Sequence, residues 1–187
     1  MRKLIYAINL TLDGCFGHTD GAAPDDSDDA LLDYYTHLVR DAGLLVYGRK
    51  TYELMVPYWP DIANNPAESK ADIEFAQTFV SKHKVVFSRS LASAEANTRI
   101  VHTNLRDEVL KLKQEPGLDI LLGGVDIASQ LIELGLVDEY RFVVQPIIAG
   151  QGRRLLDGMS LQEKLKLKLI ESKIFKSGSV ALHYVKR

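Results

Sequence analysis

The chain has 187 residues, of which 46% are apolar and 26% charged, with a formal net charge of -2. That make-up supports a packed core and excludes disordered, collagen-like and coiled-coil chains. The near-neutral balance excludes a dedicated nucleic-acid binder, and the single cysteine, Cys15, allows no internal disulfide. No apolar run approaches the roughly 20 residues of a membrane span. One cytoplasmic α/β domain over residues 1–187 is expected, with no membrane or nucleic-acid partner.

Leu4–Leu10 is almost continuously apolar, as in a strand buried on both faces. Asp13-Gly14 breaks it and opens a polar loop. Ser27 is placed to cap a helix over 28–41, with Leu31, Leu32, Tyr35, Leu38 and Val39 at helical spacing. Leu44–Tyr47 reads as a short strand, followed by a helix from Arg49 that runs out at Pro57, with Pro60 as a second stop. Ala71–Lys82 carries Ile73, Ala76, Phe79 and Val80 on one helical face. Lys84–Ser88 and Arg99–His102 read as strands. Asn104 caps a helix bearing Leu105, Val109 and Leu112, which Pro116-Gly117 ends.

Leu118–Leu122 is the next strand, with Gly123-Gly124 leading into a helix that turns Ile127, Leu131 and Leu134 inward. Val137–Ile148 is a longer strand, and Ala149–Gly158 a glycine-bearing loop. Leu165–Lys176 and Ser179–Lys186 flank a tight turn at Ser177-Gly178. Alternating strands and helices give a mainly parallel sheet, and the terminal hairpin adds an antiparallel edge.

Several apparent motifs fail. Gly43 to Thr51 approaches a phosphate loop, but Arg49 displaces the lysine and the intervening residues are strand formers. Gly150-Gln151-Gly152 lacks the third glycine of a dinucleotide fingerprint. The histidines at 18, 37, 83, 102 and 183 show no ligand spacing, so no metal site is expected. No G-x-S-x-G elbow occurs.

Three features sit at the carboxyl ends of expected strands, where open α/β sheets take ligands. In Gly48-Arg49-Lys50-Thr51 the glycine allows a tight turn, the helix start offers free N–H groups, and Arg49 and Thr51 can bind phosphate oxygens. Ser88-Arg89 pairs a hydroxyl with a guanidinium. Gly123-Gly124-Val125 lets a ligand approach bare backbone. Taken singly, each also suits an ordinary turn or a solvated surface. Together they suit a ligand with several phosphates, such as a dinucleotide, and two arginines at the ribose end favour NADPH over NADH.

Taken in order, Asp13-Gly14, Gly48 to Glu53, Ser88-Arg89, Gly123-Gly124, Val137-Asp138-Glu139 and Pro146 with Gly150 and Gly152 resemble the dihydrofolate reductase-like superfamily. The likeness spans essentially the whole chain and is nearest to the riboflavin-biosynthesis reductase branch, the RibD C-terminal domain type. It implies a three-layer fold with helices on both faces of a mixed sheet, NADPH as hydride donor, and a homodimer. By position, Arg49 and Thr51 would hold NADPH phosphates, Ser88 and Arg89 its 2′-phosphate, and Asn9 and Phe16 would flank the nicotinamide. Gly123-Gly124 would be the family's cis peptide. Asp126 departs from the folate-reducing members, which often carry a cation there, and so points to the riboflavin-type branch.

The reduced product also needs a proton. In folate reductases a carboxyl on the first helix lies near the substrate, and the matching stretch here offers Asp28, Asp29 and Asp33, with Asp29 and Asp33 as the catalytic candidates. They suit solvated acids at a helix start equally well. Tyr58 and Trp59 could stack on a flat heterocycle, and Arg153 with Arg154 could bind a phosphorylated sugar. The expected activity is NADPH-dependent reduction of a pyrimidine-like substrate such as 5-amino-6-(5-phosphoribosylamino)uracil. The alternatives are a dihydrofolate or pteridine reductase, and a non-catalytic nucleotide-binding or sensor protein.

Overall fold

A computed structural model describes residues 1–16, 29–95 and 97–187. In chain order the elements are β1 (Leu4–Thr11), α1 (Asp29–Asp41), β2 (Leu44–Gly48), α2 (Arg49–Met55), α3 (Trp59–Ala63), α4 (Lys70–Ser81) and β3 (Lys84–Phe87). Then follow β4 (Thr98–Val101), α5 (Leu105–Gln114), β5 (Ile120–Leu122), α6 (Asp126–Glu133), β6 (Glu139–Gln145), β7 (Leu167–Ile174) and β8 (Val180–Lys186). Ser27 and Asp28 lie outside the described residues.

Among the described residues the strands form one sheet in the order β4-β3-β2-β5-β1-β6-β8-β7. From β4 to β6 every neighbouring pair is parallel. β8 runs antiparallel between β6 and β7, closing the sheet with the expected hairpin.

Side chains alternate across a strand, and β1 uses both faces for burial. Leu4, Tyr6 and Ile8 face a core built with Val109 and Leu112 of α5 and Ile127, Ala128 and Leu131 of α6. Ile5 and Ala7 face the second core, with Val39 of α1, Tyr52 of α2 and Phe75 and Phe79 of α4. Removing one such fully buried aliphatic side chain from water contributes about 1.5–3 kcal/mol. The helices thus form a layer on either side of the sheet.

Two expectations need correcting. Pro60 does not stop a helix but lies in the first turn of α3, where its missing N–H has no intrahelical partner to lose. Leu134 is 45% exposed rather than inward, because α6 ends at Glu133 and Ala128 and Ile132 join Ile127 and Leu131 on the buried face. No helix among the described residues is long and apolar enough to cross a membrane.

Candidate functional site

Parallel pairing puts the carboxyl ends of β1 to β6 along one edge, and register brings the expected turns together. Gly48 pairs with Phe87, so Ser88 follows beside it, and Val46 pairs with Leu122, so Gly123 emerges beside Tyr47. A Cβ at Gly123 would lie 2.6 Å from the Tyr47 ring, and one at Gly124 would collide with Thr51 Oγ1. A Cβ at Gly48 would touch Ile127 of α6 at 3.4 Å. The Gly48–Thr51 and Gly123–Val125 turns are therefore in direct contact.

Neither helix start at this contact has a side-chain cap: Gly48 precedes α2 and Val125 precedes α6. Elsewhere the chain supplies caps. Ser69 Oγ accepts from the Asp72 amide at the start of α4, and Asn104 does the same for α5. The α6 turn leaves N–H donors and bare glycine backbone facing the edge, an arrangement suited to phosphate oxygens.

The Gly123–Gly124 peptide is not cis. The structure has no cis peptide bond there, and the turn is made by Gly124 at φ +86°. The left-handed conformation that glycine tolerates provides the change of direction.

Arg49 is exposed and its Nη1 donates to both carboxylate oxygens of Glu53, at 3.1 and 2.9 Å. Lys50 is exposed and Thr51 half-buried. Ser88 Oγ accepts from the Ser90 and Leu91 amides at 3.2 and 2.9 Å, shaping the turn, while its hydroxyl proton remains available to a ligand. Arg89 is exposed, with no ion pair among the described residues. His102, which sequence reasoning left without a role, places Nδ1 2.7 Å from the Ser88 carbonyl and braces the same turn.

At the β1 end, exposed Asn9 accepts a hydrogen bond at Oδ1 from the Tyr35 hydroxyl of α1. Burial pushes the Tyr35 hydroxyl well above its usual pKa. In the sequence Tyr35 reads only as part of an apolar helical face. Asp29 and Asp33 are exposed on the other side of α1, and Asp33 lies 3.2 Å from His37 Nδ1. Hence Tyr35, not a carboxylate, is the α1 group that meets Asn9.

Asp13 joins two loops. Its carboxylate accepts from Thr11 Oγ1 at 2.6 Å, the Ala149 amide at 3.0 Å and the Gly150 amide at 2.9 Å. These bonds, the threonine's first, hold its carboxyl well below the usual carboxylate range. The loop after β6 continues over Phe16: the Arg153 carbonyl accepts from the Phe16 amide, the Arg153 guanidinium lies 5.3 Å from the ring centroid, and its Nη2 donates to Asp126 Oδ1 at 3.2 Å. Arg153 thus answers the acid that opens α6, a pairing across 27 residues that no local pattern signals. Arg154 is exposed and bridges to Cys15.

Tyr58 is exposed, whereas Trp59 packs 4.5 Å from Phe75 and 6.2 Å from Phe79. Its ring packs against the core cluster that holds Phe75, Phe79 and Tyr47.

Comparison with known proteins agrees with this architecture. The uncharacterized proteins YyaP and YwjB of Bacillus subtilis (strain 168) are 31% and 26% identical, covering 98% and 99% of this chain and 94% and 98% of their own. Among solved structures, a putative riboflavin biosynthesis protein from Shewanella sp. PV-4 superposes with a TM-score of 0.70 at 18% identity, covering 99% of both chains. Dihydrofolate reductase from Enterococcus faecalis, complexed with NADP(H), gives 0.66 at 13% identity over 99% of this chain and 96% of its own. A bifunctional deaminase and 5-amino-6-(5-phosphoribosylamino)uracil reductase from Thermotoga maritima gives 0.68 at 14% identity, with this chain spanning 57% of its length. The RibD C-terminal domain pattern matches residues 2–181, and the chain belongs to that family, with a dihydrofolate reductase-like fold.

Proposed function

We propose that the protein is an NADPH-dependent reductase acting on a pyrimidine-like heterocycle, of the kind named by 5-amino-6-(5-phosphoribosylamino)uracil. The observation that carries this reading is the direct contact between the Gly48–Thr51 and Gly123–Val125 turns, with Ser88-Arg89 directly following the adjoining strand β3.

The residues fit the coenzyme. Gly123 and Gly124 expose backbone, α6 begins without a side-chain cap, and Arg49, Thr51, Ser88 and Arg89 supply donors along the same edge. Arg49 and Thr51 would hold pyrophosphate oxygens beside Gly123–Val125, Ser88 and Arg89 the 2′-phosphate, and Asn9 and Phe16 the nicotinamide end. When bound, NADPH supplies a hydride. The chain's part is to fix the two reactants and exclude water between them.

Because Tyr35 donates to Asn9 Oδ1, the Asn9 amide is left to donate its NH2 to a carbonyl in the cleft. Asp126 would repel a phosphate near α6, but Arg153 neutralises it. Asp29 and Asp33 are exposed and Asp33 is turned to His37, so we assign proton delivery to solvent water rather than to either carboxylate.

The test is fluorescence titration of NADPH against the native protein and Arg49→Ala. Loss of a charge-assisted bond is expected to weaken binding about tenfold or more, and equal affinity refutes the site. Loss of absorbance at the reduced-nicotinamide band with the uracil substrate, or with pteridines, then identifies turnover. Tight NADPH binding with no turnover across that panel would make the protein a nucleotide-binding sensor.

A further inference from the structure

At the other edge of the sheet, below the amino ends of β2, β3 and β4, lies a pocket of about 470 Å³. Its wall includes Arg2, Gly43, His83, Asn97, Lys111 and Glu115. The Arg2 side chain is only 7% exposed. Its Nε donates to the Leu118 carbonyl at 2.5 Å, but its Nη groups have no hydrogen-bond acceptor among the described residues. Glu115 forms a long ion pair with Nη1 at 4.0 Å, beyond hydrogen-bond reach, so the Nη donors stay free for an oxyanion.

Gly43 shapes this cradle. A Cβ there would fall 3.2 Å from Arg2 Nη2 and 3.0 Å from Leu118, so only bare backbone lets the guanidinium lie in place. The other cations of the wall differ in how far they are engaged. Arg99 is paired with Glu108 at 2.5 Å, and the Lys84 ammonium donates to the Phe79 and Lys82 carbonyls. Lys111 is exposed and makes no ion pair among the described residues. The Arg2 Nη donors, bound to no acceptor among the described residues and not sealed from solvent, open onto the pocket, and their planar fork matches two oxygens of one oxyanion.

We infer that this pocket binds the phosphate or carboxylate group of a small metabolite, held by Arg2 and Lys111. The site is independent of the proposed reductase activity. The five residues of β2 separate it from the Gly48 turn, about 15 Å at strand rise.

The test is titration of inorganic phosphate, and separately acetate, into the full chain, followed by amide chemical shifts. Phosphate is expected to move the amides of Gly43, His83 and Lys111, saturating at a dissociation constant of about 1–10 mM. Lys111→Ala, an exposed truncation that leaves the fold intact, should weaken it about fivefold, and Arg2→Gln further with its spectrum otherwise retained. Tighter binding of phosphate than acetate assigns a phosphate ester, and the reverse a carboxylate. Shifts confined to Gly48–Thr51 and Gly123–Val125, or a constant unchanged in Lys111→Ala, would overturn the inference.

Discussion

Replacing Gly124 by alanine loads two separate costs onto one position. Its φ of +86° lies in the left-handed region, which an L side chain disfavours by about 1–2 kcal/mol. The new Cβ would also run into Thr51 Oγ1, and overpacking of that kind costs about 1–3 kcal/mol. Gly124→Ala is therefore expected to destabilise by about 2–5 kcal/mol in total. For a chain of this length each kcal/mol lowers Tm by about 2–4 °C. Thr51→Ala removes the colliding oxygen but leaves the backbone cost, so the double variant separates the two. Urea unfolding of the native protein, both single variants and the double variant should give a coupling energy of about 1–2 kcal/mol. A Gly124→Ala cost below about 0.5 kcal/mol, or additive single effects, would refute the packing argument on which the cleft's geometry rests.

Three further outcomes are expected. Asp13 is held below its ordinary pKa in the fold, so its stabilising effect is complete above the unfolded value of about 3.9 and fades as pH falls toward the lower folded value. Asp13→Asn should flatten that acid limb in urea midpoints and speed hydrogen exchange at the Ala149 and Gly150 amides. Burial lowers Lys84 to about 8, so between that pH and about 10.4 the unfolded chain binds more protons and native stability rises with pH. Lys84→Met should lack that rise, which denaturant midpoints measured from pH 7.5 upward would reveal by difference. Tyr35→Phe should cost about 0.5–1.5 kcal/mol in stability and, under the reductase reading, raise KM for NADPH more than for the heterocycle, since it frees the Asn9 amide at the nicotinamide end to rotate. Equal changes in both KM values would contradict that role.

The elements and the cleft were legible for different reasons. Apolar runs such as Leu44–Tyr47 and cap residues such as Asn104 act within a few positions, so most strands and helices could be placed, whereas the expected strand Val137–Ile148 shortens to Glu139–Gln145 and α3 was not expected. The turns at Gly48, Ser88 and Gly123 converge because strand alternation with helices enforces a parallel sheet, which puts all three on one edge. What escaped was long-range or conditional. Pro60 reads as a stop unless the helix begins beside it, as α3 does. The closure of Arg153 on Asp126, and of Tyr35 on Asn9, depends on loops and faces meeting across 27 and 26 residues. Trp59 has the same aromatic character in a core as on a binding face, and only the neighbouring Phe75 decides between them.

The placement of β1 has a consequence for how the molecule is made. β1, which leaves the ribosome before the seven strands that follow it, lies between β5 and β6, with Leu4 opposite Ile120 and Ile5 opposite Glu139. Neither partner exists until α5 and every element before it have been translated. Its backbone donors must wait, solvated or transiently misplaced, while β2, β3 and β4 find one another. Such distant pairing carries a heavy loop-closure entropy and favours slow, late cooperative closure. A nascent polypeptide halted after Gln114 would hold a three-stranded fragment and an orphaned leading segment, a natural substrate for chaperones.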